Sequence, residues 1–138
     1  MVDKEHLQSF VDEFFLQNQA IKQIIIFSLN DNEVLLSTPD FPLSTELLTK
    51  DIIPYFEHQE VWQDNLLDEG FTLNWAEIDV NMFDAPSKDR KSTLQFFKTN
   101  NLMVFIICEG SGNDLVYVGR TLRSDLIDSG FSEPEPDE

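Results

Sequence analysis

Two adjoining patterns near the N-terminus constrain the fold of this chain more than any other feature. Leu7, Phe10, Val11, Phe14 and Phe15 recur at the spacing of one helix face, with Asp3 placed to cap the first turn and Glu5 at the positive end of the helix dipole. A stripe this wide suits a helix that lies on a sheet. A helix resting on a membrane surface would carry Lys and Arg on its polar face, where this one carries Asp and Glu. The stretch IIIFSLNDNEVLLST, 24–38, follows, and with the three residues before it makes two runs, 21–29 and 34–37, around Asn30, Asp31, Asn32 and Glu33. Asn and Asp tolerate positive φ and bond to their own backbone, so the polar knot predicts the turn of a β-hairpin. It lacks the alternating acids, the central Gly and the distal Glu of a calcium loop.

Further along, Ser44 is placed to cap a second helix carrying Leu47, Leu48, Ile52 and Phe56, which Pro54 should end or kink. Residues 57–70 read as an acidic connector in which Val61, Trp62, Leu66 and Leu67 form a helical turn or a covering loop. Phe71, Leu73 and Trp75 alternate with polar residues as in a strand, and the shift of phase to Ile78 and Val80 predicts a bulge near Ala76. Residues 81–91 read as a loop, and Leu94 with Phe96 opens another strand. The run LMVFIIC, 102–108, is apolar on both faces and predicts a central strand. GSGND then reads as a hairpin turn into a last strand, 115–118, and 121–129 as a closing helix with Leu122 and Leu126 on one face and Gly130 at its end. The reading is α+β: one domain over 1–130, a single antiparallel sheet of about five strands flanked by two or three helices, and an acidic tail, 131–138, too polar to pack.

With 26 acidic and 9 basic residues, the net charge of −17 opposes direct binding to nucleic acid and to anionic membranes. It suits a basic protein partner, or a surface that imitates the phosphates of DNA. A lone Cys108 inside an apolar run reads as an inert buried thiol, and no Asn-x-Ser/Thr acceptor occurs. No apolar stretch is long enough to span a bilayer, so neither membrane insertion nor secretion is expected, and the expected compartment is the cytoplasm.

No constellation supports catalysis, a metal or a cofactor. His6 and His58 fall in different elements, and Glu57 and Glu60 beside His58 make too few ligands. Glu77 and Asp79 share one side of a predicted strand, but two carboxylates alone do not define a cation site. Pro39-Asp40 with Asp89-Arg90-Lys91 imitates a nuclease pattern, yet its second half falls in a loop. GSGND lacks the Lys-Ser/Thr of a phosphate loop, and there is no Gly-x-Ser-x-Gly elbow. The expectation is a non-enzyme. The one local anomaly is Lys88, Arg90 and Lys91, a third of the 9 basic residues crowded into one loop. They form a candidate protein-binding tip, which Lys98, Arg120 and Arg123 would extend if they faced the same way.

The order helix, hairpin, helix, three strands, helix is carried by the first helix through Phe15, the hairpin, the 44–56 helix and strands around 71–80, 92–108 and 115–118. It resembles the small α/β domains of the roadblock and longin type, which share a profilin-like plan. The resemblance implies an antiparallel sheet between helices, no enzymatic activity, and pairing as homodimers or heterodimers through a sheet edge or a helix. It also implies an adaptor or scaffold subunit of trafficking or GTPase-signalling complexes, docking through the first helix or an edge strand. Charge supplies two alternatives: an acidic secretion-type chaperone holding an unfolded client segment, and an acidic DNA-mimic inhibitor of a nucleic-acid-binding protein.

Overall fold

The computed structural model describes residues 3–73, 82–110 and 115–131. Helix α1 is Lys4–Gln17, and its first turn is closed by Asp3 Oδ1, which accepts from the amides of Glu5 (3.0 Å) and His6 (3.3 Å). The hairpin follows as β1, Ile21–Ser28, and β2, Val34–Ser37. Its turn uses the local chemistry of the knot: Asn32 takes φ 56°, and Asp31 Oδ1 accepts the Glu33 amide at 2.9 Å. One extra residue in β2 makes a bulge beside Ile26 and Phe27.

Helix α2 starts at Thr45–Leu47 under the Ser44 hydroxyl, which accepts the Leu47 amide at 3.0 Å. It then widens to a π turn over Leu48–Ile52 and tightens to a 3₁₀ turn over Ile53–Tyr55. Pro54 has no N–H to return to the helix and lies in the closing 3₁₀ turn, but the regular α pattern already gives way at Leu48, six residues before the expected stop. The acidic connector holds a full helix, α3, Glu60–Asp68, with Trp62 and Leu66 buried and Val61 and Leu67 half-buried.

The remaining elements are β3, Met82–Pro86; β4, Ser92–Lys98; β5, Leu102–Glu109; and α4, Val116–Asp128. Among the described residues the five strands form one antiparallel sheet in the order β2-β1-β5-β4-β3. The central place of β5 explains its composition. Leu102, Val104, Ile106 and Cys108 face α1 and α4, while Met103, Phe105 and Ile107 face α2 and α3. Each of these side chains leaves water, at roughly 1.5 to 3 kcal/mol for the larger ones. On the second face, Phe83, Phe96 and Phe105 stack across β3, β4 and β5 at centroid distances of 5.7 and 5.5 Å. Trp62 stands edge-on to Phe83 and Phe96 at 5.1 and 5.2 Å, and its Nε1–H donates to the Ile52 carbonyl at 2.9 Å.

Two expectations are corrected. The segment expected to be a loop contains β3, in which Met82, Phe83 and Ala85 are buried. Asp84 and Pro86 disguise it, but Pro86 closes a strand whose one full-length partner among the described residues is β4, so its missing N–H costs that ladder little. The expected last strand, 115–118, is instead the start of α4, which begins at Val116 and not at Thr121. Among the described residues no strand therefore follows GSGND to complete a hairpin. Leu115, Gly119, Leu122 and Leu126 line the buried side of this helix at helical spacing. Gly119 allows the approach: a β-carbon there would lie 2.8 Å from Gln95 Oε1 and 3.4 Å from Met82 Sδ. The predicted strand at 71–80 falls largely outside the described residues, as do Ala76, Glu77, Asp79 and the tail 132–138. Phe71 forms a single bridge to Ser87, and Phe131 is buried against α1.

Trp62→Phe should lower stability by about 2 kcal/mol, through the space it leaves and the unpaired Ile52 carbonyl, read as a shift of the urea midpoint. Gly119→Leu should destabilise by about 2 kcal/mol in spite of its better helix propensity, because the interface with Gln95 has no room, and calorimetry would show the lower melting temperature.

Candidate interaction surfaces

The turn joining β3 to β4 carries the predicted tip, and its backbone is firmly held. Asp89 Oδ1 accepts from the Ser87 hydroxyl at 2.7 Å and from the Lys91 amide at 3.0 Å. These two bonds, the Ser87 one foremost, hold the Asp89 carboxyl below the usual carboxylate range. The Arg90 amide donates to the Ser87 carbonyl at 3.0 Å, the Lys88 amide to the Gly70 carbonyl at 3.0 Å, and the Gly110 amide to the Lys91 carbonyl at 2.7 Å. Lys88, Arg90 and Lys91 are all exposed, and Arg90 sits at φ 60°, in the left-handed region.

The other three cations do not extend this tip. Lys98 closes β4 at the far end of the strand, roughly 20 Å away at the usual rise per residue, with Nζ 5.0 Å above the Phe56 ring. Arg123 Nε donates to the Lys98 carbonyl at 3.3 Å and belongs to that far end as well. Arg120 lies one turn before it on α4.

A second surface was not apparent from sequence. Between α2 and α3 runs an open groove of about 420 Å³ rimmed by Glu46, Asp51, Asp68 and Glu69. Its one cation, Lys50, pairs with Glu46 at 3.1 Å. Because Gly70 follows the groove and binds the Lys88 amide, the acidic rim and the basic tip adjoin. The sequence signal was only two pairs of carboxylates, Glu46 with Asp51 and Asp68 with Glu69, which acquire meaning once the two helices are known to be neighbours.

The remaining candidates stay apart. His6 lies edge-on to Phe131 at 5.1 Å, and His58 is exposed, 3.8 Å from Glu60. Asp40 follows β2 while Asp89 follows β3, at opposite edges of the sheet, so the nuclease-like pattern is not assembled. Among the described residues no three His, Cys, Asp or Glu side chains could hold a metal, and no helix is long and apolar enough to cross a membrane. Cys108 is fully buried in β5, and burial pushes its thiol up to about 12.

No family model matches the sequence, and no curated protein does. Solved structures do match in fold. Profilin IB of Acanthamoeba castellanii superposes with a TM-score of 0.67 at 16% identity, covering 90% of this chain and 98% of its own. Schizosaccharomyces pombe profilin gives 0.65 at 14%, covering 89% and 98%. LokiProfilin2, solved in complex with rabbit actin, gives 0.60 at 11%, covering 90% and 97%. The fold is profilin-like, and at these identities the likeness is one of fold alone.

Cys108 should stay unlabelled by a thiol reagent near neutral pH in the native protein and react stoichiometrically in urea, since burial keeps the thiolate scarce. Fast native labelling would contradict this placement.

Proposed function

We propose that this chain is a non-enzymatic protein-interaction module, an adaptor or scaffold subunit of a larger assembly. The observation that carries the reading is a profilin-like sheet covered on both faces, by α1 with α4 and by α2 with α3, whose charge is sorted onto adjoining outer surfaces. Such a body offers partners its exterior. The fold neighbour LokiProfilin2, solved with actin, supports this use of the plan. A chaperone for an unfolded segment would need an open apolar face, and both sheet faces here are occupied by the protein's own helices.

The partner is a different protein, because two copies each at −17 repel one another. Roadblock-type pairing is thus read as heterotypic. The acidic groove suits a basic partner, and the lone free thiol of Cys108 suits the cytoplasm.

The test is affinity capture of the full chain with crosslinking and mass spectrometry, using purified actin as one defined bait. A folded partner retained at low salt and released as salt rises supports the module. Turnover of a substrate by the purified chain, abolished by a single substitution, would overturn it.

A further inference from the structure

We infer that the tip formed by Lys88, Arg90 and Lys91 docks a carboxylate-rich segment of a protein partner. This rests on the reading of the chain as an interaction module and names the chemistry of one of its partners. The first ground is how the other cations are engaged. Lys4, Lys22 and Lys50 pair with Glu33, Glu109 and Glu46 at 3.1 to 3.2 Å. Lys98 covers the Phe56 ring, Arg123 bonds the Lys98 carbonyl, and Arg120 is also engaged. In a chain with 26 acidic residues, the three tip cations make no salt bridge, side-chain hydrogen bond or ring contact among the described residues.

The second ground is the use of Asp89. It is the one acid in the turn, and its carboxylate is committed to the Ser87 hydroxyl and the Lys91 amide. The acid builds the turn, and although the charge of Lys91 acts on it, it forms no salt bridge with any of the three cations. Third, Arg90 holds a left-handed conformation that glycine adopts without strain, at φ 60°. A long charged side chain stands at a backbone geometry that glycine would hold with less strain.

The occupant follows from range. Ionic attraction is screened beyond roughly 8 Å at physiological salt, so a narrow acidic segment feels the tip and little of the surrounding acid. A duplex or an anionic membrane is broad and would meet the acidic rim of the neighbouring groove as well. A second copy is broad as well and would bring its own acidic surface against that rim.

The experiment titrates the full chain with octaglutamate, using octalysine and phosphatidylserine vesicles as counter-probes, and follows backbone amide shifts. Octaglutamate should move the amides of residues 88–91 first, with an affinity that falls as salt rises. Arg90→Gly should raise the melting temperature by about 3 °C while weakening octaglutamate about fivefold, a split that a purely structural arginine would not produce. Lys88→Ala with Lys91→Ala should weaken it further at unchanged melting temperature. The inference falls if octaglutamate leaves these amides unmoved, if Arg90→Gly retains full affinity, or if vesicles compete equally. It also falls if the wild-type chain dimerises through the tip. Partner capture that persists alongside a silent octaglutamate titration would remove this inference and leave the module intact.

Discussion

The indole of Trp62 is the contact on which the α2–α3 side of the molecule depends. Its Nε1–H occupies the Ile52 carbonyl, in the stretch where α2 loses its regular hydrogen bonding, and its ring packs on Phe56, Phe83 and Phe96. One side chain thus ties the irregular end of α2, the whole of α3 and the outer strands of the sheet together. A tryptophan suits this place because it joins a large apolar face to a single donor, and the site supplies both a stack of phenylalanines and one open acceptor. The acidic groove and the basic tip inherit their positions from this junction, since α3 leads directly to Gly70 and from there to the backbone of Lys88.

The first half of the fold is legible in the sequence because local chemistry decides it. Asp3 and Ser44 cap the helices they precede, Asn32 and Asp31 make the turn, and Pro54 lies in the 3₁₀ turn that closes α2. The double-faced apolar run of β5 likewise announces a strand covered on both sides. What the sequence conceals is decided by contacts across the fold. Leu115 to Val118 is a β-favouring run followed by a glycine, yet Gly119 serves the approach to Gln95, and the run opens a helix. Asp84 and Pro86 make β3 resemble a loop, and pairing along β4 overrides that local preference.

The candidate surfaces divide in the same way. The crowding of Lys88, Arg90 and Lys91 is visible in one line of sequence, whereas the engagement of the other cations appears only when strands and helices are brought together. Lys98 illustrates the point: seven residues along β4 move it to the opposite end of the sheet from Lys91. Proximity in sequence and proximity on a strand are opposed here, and the basic surface stays small as a result.

The bulge in β2 has a meaning for the protein's life at high concentration. A sheet that ends in a long, flat strand invites copies of itself to continue it, whereas β2 is four residues long and broken in register beside Ile26 and Phe27. At the last of the described strands, the Thr72 amide donates to the Pro86 carbonyl at 2.8 Å. A chain so rich in apolar strand sequence therefore carries protection against growing into fibrils at its β2 margin, built from geometry as much as from the charge it displays.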